Sequence, residues 1–547
     1  MKKTTIAKIV GVIIALIAAF IYYYITLPAF NLHSIGTWWF LITILVVIGI
    51  VISLRTGDVV KSDKLNGIIK EFRPGTGLGV KIVFGIVAVM LVVLAIGTFL
   101  SSPVINAKKY RDLMPVEEGN FAQDIKQVDY NTIPLLDKSS ASLLGDRKMG
   151  SMVEMVSQFE VGGDYTQINY NGRPVRVTPL VYANTIKWFT NMKNGIPAYM
   201  MIDMATQDTT CVQLAEGIKY SKSEYFNRNI YRHLRFKYPT YIFGDQLFFE
   251  IGDDGTPYWI CPVKKFNIGL FGGETVGRVV LCNAVTGVCE DYHIDDVPQW
   301  VDKVYQAELL MQLYDYHGTL QHGYFNSILS QKDCLTTTNG YNYIALDDDV
   351  WVYSGVTSVN GDQSNVGFVL MNQRTMETKF YKVEGAIEDS AMSSAEGQVQ
   401  NLGYVATFPL LLNIAEEPTY FIALKDGAGL VKMYAMVNVE KYQWVAIGDT
   451  VKECEKAYRE LLETNGISSE TAGVSEAVSG KIEAMANVVI EGNTHYYIYL
   501  EGKEQIYDIN LSANEDFATI IKYQPGDTIS MNTIPDAGLV SVTSINE

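Results

Sequence analysis

The chain has 547 residues, 48% of them hydrophobic and 19% charged, and a formal net charge of −17. That length suits about three or four domains of ~150 residues, and the acidic balance argues against nucleic acid as a partner, because nucleic-acid binders carry a basic footprint. The 34 Tyr and 22 Phe argue against a disordered chain and favour half-buried sheet surfaces.

Three apolar runs open the chain, at about Ile9–Leu27, Thr37–Leu54 and Val80–Leu100. Each is long enough to cross a hydrocarbon core of ~30 Å as a helix. Lys2, Lys3 and Lys8 precede the first run, and Arg55, Lys61, Lys64, Lys70, Arg73 and Lys81 surround the second connection. The first connection carries no Lys or Arg, and only Lys108, Lys109 and Arg111 follow the third run. The positive-inside rule therefore puts the N-terminus and the second connection in the cytoplasm and the C-terminal bulk outside. Tyr22, Tyr23, Tyr24, Trp38 and Trp39 fall where an outer interfacial belt is expected. The first run lacks a clear small-residue cleavage pattern and reads as a retained anchor. None of the runs carries an internal Asp, Glu or Arg, which speaks against an ion or substrate path through the bilayer. Residues 1–101 are thus a three-helix membrane anchor in a multi-pass cell-membrane protein.

Residues 102–195 read as a tether, about Ser101–Gly119, followed by a mixed α/β segment with a helix near Pro179–Lys193. Residues 196–464 read as tandem helix/antiparallel-strand repeats. A hairpin turn with Asp or Asn first and Thr three positions on recurs at Asp203–Thr206, Asn283–Thr286 and Asn372–Thr375, with a degenerate version near Val437–Trp444. Asp and Asn favour such turns because their side chains bond nearby backbone amides. An acidic turn leading into an aromatic strand recurs at Asp253-Asp254, Asp348-Asp349 and Glu416-Glu417. Helices are expected at Ser221–Lys237, with Ser221 and Glu224 spaced as a capping box; after Asp296, with Trp300, Val304, Ala307, Met311 and Tyr314 on one face; and from Thr450, with Glu453 three residues on.

The second copy, GTPYWICPV then GRVVLCNAVTGVCEDY, resembles the PepSY module, whose pattern is a helix, an aromatic-centred strand and a hairpin with a D/N-x-x-T-G turn. The resemblance covers about Tyr220–Tyr292. The third copy has Met376 where Gly287 stands, and the fourth lacks both landmarks. The resemblance implies a non-catalytic extracytoplasmic adaptor or protease-restraining module.

Residues 465–478 are rich in Gly, Ser, Thr and Glu and read as a linker. Residues 479–547 alternate like short strands and read as a small β-barrel, OB-like. The fold class expected is therefore three transmembrane helices, an α+β extracytoplasmic region of degenerate repeats, and a C-terminal barrel.

Chemistry-bearing patterns are sparse. His317 and His322 in HGTLQH lack the further ligands that zinc needs. Asp347, Asp348 and Asp349 lack the spacing of a calcium loop and read as turn acids. No G-x-S-x-G occurs. A hairpin through Ala284–Gly287 sets Cys282 opposite Cys289, either as a disulfide or as two reduced thiols. Arg228, Arg232 and Arg235 form a stripe at helical spacing, suited to an anionic surface or to local acids. No catalytic residue, metal or cofactor is indicated. The functional expectation is a non-catalytic binding, scaffolding or regulatory protein of the cell envelope, touching the lipid bilayer and a protein partner there. The alternatives are an extracytoplasmic hydrolase acting on envelope material and an accessory subunit of a membrane transport complex. No oligomeric state is specified.

Overall fold

The structure, a computed structural model, describes residues 3–546 except 65–66, 126–132, 347, 360–363, 468–475, 491–492, 504, 512–514 and 535–538. Lys2, Asp347 and most of the expected linker lie outside the described residues. The described chain divides into two units, Met1–Tyr458 and Arg459–Glu547.

The first unit begins with α1 (Lys3–Thr26), α2 (Ile35–Thr56) and α3 (Leu78–Leu100). Two of these, α2 and α3, are long and apolar enough to cross a membrane by length and composition, and the described apolar part of α1 is Val10–Thr26. Helices α2 and α3 pack along one another. Gly49 makes the approach close, because a Cβ there would sit 3.0 Å from the Phe84 ring. Between them an antiparallel hairpin, Asp58–Lys64 with Gly67–Arg73, forms where the sequence suggested only a loop.

The expected tether is instead fixed structure. Helix α4 (Pro103–Arg111) starts with Pro in its first turn, where a missing N–H is harmless. Its buried Tyr110 donates to the Ser101 carbonyl at 2.7 Å and accepts from Gly273 N at 3.2 Å. Glu117–Gly119 then joins a sheet, parallel to Thr378–Tyr381.

The rest of the first unit is four successive antiparallel meanders. The first comprises Thr166–Tyr170, Arg173–Tyr182, Ile196–Asp203 and Thr209–Ile218. The second comprises Phe248–Ile251, Pro257–Ile268, Gly272–Asn283 and Cys289–His293. The third runs Asn342–Leu346, Asp349–Ser358, Gly367–Asn372 and Thr378–Tyr381. The fourth runs Leu410–Ile414, Glu417–Lys425, Val431–Asn438 and Val445–Gly448. The repeating unit is thus four strands, and its first copy begins at Thr166, upstream of the boundary at 196 read from the sequence. That copy's first turn is Asn171-Gly172, both at positive φ; it occupies the place of the acidic turns in the other copies.

The last turn of each meander is built by one side chain. Asp203 Oδ1 accepts from Ala205 N and Thr206 N, both at 2.9 Å. Asn283 Oδ1 accepts from Val285 N and Thr286 N at 3.0 and 2.9 Å, and Asn372 Oδ1 from Arg374 N and Thr375 N at 2.8 and 3.0 Å. Asn438 Oδ1 accepts from Lys441 N in the fourth. The residue after the Thr is left-handed in the first three: Gln207, Gly287 and Met376, at φ 67°, 74° and 67°. The turn survives without its glycine because the Asx bonds hold it, at a cost of about 1–2 kcal/mol for a non-glycine residue.

The meanders stack face to face. One core joins the first and second through Val177, Leu180, Met200, Phe249, Trp259 and Val280. Another joins the opposite face of the second to the third through Phe248, Ile260, Val279, Val352 and Met371. Third and fourth meet where Phe368 packs edge-on to Tyr420, with ring centroids 5.8 Å apart, and where Tyr353 OH donates to the Pro409 carbonyl. The fourth returns to the first through the helix Lys138–Gly150. Its N-cap Asp137 pairs with Lys425 at 2.7 Å, and Leu135 N donates to Met204 O. Each four-strand meander thus forms one blade of the first unit.

Three expected helices differ in extent. Pro179 lies in the strand Arg173–Tyr182, and the helix is only Thr185–Asn191, capped by Asn184. The strand wins because it is buried on both faces, which leaves no helical stripe to read. The Ser221–Lys237 helix shrinks to Ile230–Lys237. Its supposed capping Glu224 instead accepts from Tyr182 OH at 2.6 Å and Trp188 Nε1 at 2.8 Å. The helix after Asp296 starts at Ala307, because Val304 N and Tyr305 N are spent on the Gln373 carbonyl. The helix from Val451 does carry its capping box, with Glu453 N on Thr450 Oγ1 and Thr450 N on Glu453 Oε2.

In the second unit, the strands Glu476–Ile490, Asn493–Leu500, Ile506–Asn510, Leu539–Asn546 and Thr528–Ile534 pair in that order, and the last pairs back to the first. A 3₁₀ segment, Glu515–Lys522, places Phe517 and Ile520 in a core with Ile482, Ile498, Tyr507 and Met531.

Candidate functional site

The first strands of the first three meanders meet around a cavity of about 280 Å³. Four cations line it, Lys138, Arg176, Lys222 and Lys303, against two carboxylates, Asp164 and Glu308. Both carboxylates are already engaged: Lys222 Nζ holds Asp164 at 2.8 Å, and Tyr341 OH donates to Glu308 at 2.7 Å.

Arg176 is 6% exposed and sits in the second strand of the first meander, between the buried Val175 and Val177. Its Nη2 donates to Gln167 Oε1 at 3.3 Å, while its Nε and Gln167 Nε2 find no partner. Among the described residues, no carboxylate lies within ion-pair distance of it. A buried guanidinium without a counter-charge is costly, so its retention needs a reason. Lys303 lies beside it, stacked over the Phe248 and Tyr343 rings at 5.2 and 4.8 Å, with Nζ 3.3 Å from Tyr343 OH. Burial, reinforced by the charge of Arg176, pushes the Lys303 amine down to about 8. The cavity therefore holds two desolvated cations facing space, in a protein that is acidic overall.

Behind the cavity wall, Glu250 is fully buried and accepts from the backbone of Asp302 and Lys303 at 3.0 and 2.9 Å. Burial raises the Glu250 carboxyl, and Asp302 is raised by burial and by Glu250. This acid pair fixes the Lys303 backbone. It does not line the cavity.

The residues singled out from sequence lie elsewhere. Arg235 Nε donates to the Leu27 carbonyl at 2.9 Å, and Arg232 Nε to the Tyr24 carbonyl at 3.4 Å, with the Arg232 guanidinium 4.7 Å over the Tyr24 ring. Both thus meet carbonyls at the C-terminal end of α1, where helix carbonyls lack intrahelical partners and cations are favoured. Arg228 donates to the Met192 carbonyl. His322 pairs with Asp333 at 2.9 Å, and His317 is in the last turn of the helix Ala307–Thr319. Asp348 accepts from Asn169 Nδ2, and Asp349 takes Arg374 in a two-point ion pair at 2.7 Å, which uses the carboxylate a calcium ion would need. Cys282 and Cys289 are directly opposite in register and both free.

No family model matches the chain, and no curated protein sequence matches it. Weak likenesses to solved structures include an ACO/RPE65 chimera (8% identity, 72% of this chain and 66% of that one, TM-score 0.15). Others are a mutant Synechocystis apocarotenoid oxygenase (9%, 72% and 67%, 0.14) and the Trypanosoma rangeli sialidase (9%, 70% and 53%, 0.17). The chain spans about two thirds or less of those chains. At such TM-scores the likeness carries no argument.

Proposed function

We propose that this chain is a membrane-anchored binding protein of the cell envelope, with its stacked meanders outside the cytoplasm and an anion-binding cavity among them. The observation that carries the binding is Arg176: buried, with no carboxylate at ion-pair distance among the described residues, and lining a cavity beside Lys303. An anionic ligand supplies the missing counter-charge, and a guanidinium and an ammonium suit a carboxylate or a phosphate. The volume is just below the usual range for small-molecule sites, which favours a small ligand or the anionic end of a larger one. The lining is dominated by cations and aromatic rings, which suits capture of an anion.

The placement rests on the membrane part. The blades grip the ends of the helices on one side: Arg235 holds the end of α1, and Ser101 Oγ after α3 accepts from Leu270 N and Phe271 N at 2.9 and 3.2 Å. The lysine-bearing hairpin Asp58–Arg73 joins the opposite ends of α2 and α3. With α1 as a third span, the positive-inside rule makes that hairpin cytoplasmic and the blades extracytoplasmic. The strand order of the second unit supports an OB-like barrel, and the helix-then-hairpin order of Tyr220–Tyr292 supports a PepSY-like module within the second blade. Both suit a binding role.

The test is calorimetric titration of the full-length protein in detergent with inorganic phosphate and with small carboxylates. Saturable binding that disappears in Arg176→Gln supports the proposal. Equal heats in both proteins would remove it.

A further inference from the structure

Cys282 and Cys289 belong to no part of the anion cavity, yet they form the densest reactive cluster outside it. They flank the turn of the second meander in direct register. Asn283 Oδ1 ties that turn, and Gly287 at φ 74° closes it against the Tyr220 ring. The two Sγ atoms lie 3.1 Å apart. They differ in access: Cys282 is fully buried, while Cys289 is 9% exposed on the edge strand of its sheet. His233 joins them from the helix Ile230–Lys237. Its Nε2 lies 2.8 Å from the Gly287 carbonyl and 3.5 Å from Cys289 Sγ, and its ring leans on Tyr220 at 4.5 Å between centroids. A ring nitrogen of His233 and the two Sγ atoms all lie within 4.8 Å of one another.

We propose that Cys289 and Cys282 are a redox-active dithiol, exchanging with external small-molecule disulfides, with Cys289 the attacking sulfur, Cys282 the resolving sulfur and His233 the residue that positions and activates Cys289. The asymmetry of the pair is what such an exchange needs. The Cys289 thiol is held well below its ordinary range by the hydrogen bond from Cys282, against burial, and further by His233. The Cys282 thiol is raised by that same hydrogen bond and by burial. Cys261 from the neighbouring strand raises Cys282, and Lys237 lowers both.

The exchange balances without a further reagent. The Cys289 thiolate attacks one sulfur of the external disulfide; that S–S bond breaks, one thiolate leaves, and a mixed disulfide forms on Cys289. The departing thiolate takes back from water the proton that Cys289 released on ionising. Cys282 then gives its own proton to water, attacks Cys289 Sγ and expels the second thiolate, which is protonated in turn. Two electrons and two protons pass from the pair to the external disulfide, which becomes two thiols.

The experiment equilibrates the full-length protein in detergent with glutathione buffers of graded ratio, then counts free thiols with a mass-tagging maleimide. Two thiols are expected to vanish together as the buffer becomes oxidising and to return, in the folded protein, as it becomes reducing. In Cys282→Ser a glutathione adduct is expected to accumulate at Cys289, and in Cys289→Ser none at Cys282. His233→Ala is expected to slow iodoacetamide alkylation of Cys289 roughly tenfold at neutral pH and to move its pH midpoint upward. A merely structural histidine would leave that midpoint in place. Three results would overturn the proposal: a pair that stays reduced at every ratio, a cross-link that reduces only on unfolding, or a tightly bound metal ion that occupies both thiols.

Discussion

Arg176 and Lys303 show how a single side chain can be legible in a structure and hidden in a sequence. Arg176 stands in RPVRVTPLVY, an apolar strand buried on both faces, where a lone internal arginine was the available signal. Only the fold shows that, among the described residues, no carboxylate reaches ion-pair distance of it. Because the guanidinium is desolvated and uncompensated, Arg176→Met is expected to raise the unliganded protein's stability, by roughly 1–4 kcal/mol, while abolishing anion binding. Thermal and denaturant unfolding with and without phosphate measure both. Binding should also depend on pH with a defined sign. Lys303 is lowered from its ordinary 10.5 to about 8, so the free protein carries the lysine charge below that value and loses it above. An anion prefers the charged form. Its affinity is therefore expected to be flat below about pH 8 and to fall above it by at most about tenfold per unit. Titrations with a small carboxylate, which stays ionised between pH 6 and pH 10, and with Lys303→Met as the pH-independent control, check this.

At the scale of elements, the recurring Asp/Asn turns were readable because one side chain makes each of them, through local bonds that sequence specifies. Helix extents were not. Glu224 has the spacing of a capping residue and is instead spent on Tyr182 and Trp188, partners 42 and 36 residues away; such long-range claims leave no local trace. The four-strand period was likewise obscured, because its first copy uses Asn171-Gly172 where the others use acids or Ala415-Glu416. Trp259, 1% exposed between the first two meanders, anchors that packing, and Trp259→Ala is expected to cost about 3–5 kcal/mol by denaturant titration. Asp137 joins the fourth meander to the first. Burial acts to raise its carboxyl, but Lys425 and the Ser140 amide outweigh it and hold the group at about 2, below its ordinary 3.8. The stability it adds is present above pH 3.8 and lost as pH falls towards 2. Asp137→Asn should therefore remove part of the acid-unfolding slope between those values, and Asp137→Ala should cost roughly 0.5–2 kcal/mol at neutral pH as a lost helix cap.

Across the whole molecule, apolar length and lysine placement are properties of sequence alone, and the apolar length reappears in α2 and α3. They did not convey that the anchor is built into the blades. Arg235 on the α1 end, Ser101 after α3 and α4 with its buried Tyr110 make one joint of what had looked like a stripe of cations and a tether. For helices that cross a bilayer, that joint puts the blades and the helix ends they hold on one side of it. The most direct test inserts a short epitope after Gly427, between two strands of the fourth meander, or at Ser62 in the hairpin between α2 and α3, and stains intact and permeabilised cells with the same antibody. The Gly427 epitope is expected to stain in intact cells and the Ser62 epitope only after permeabilisation; the reverse pattern would overturn the extracytoplasmic placement of the blades.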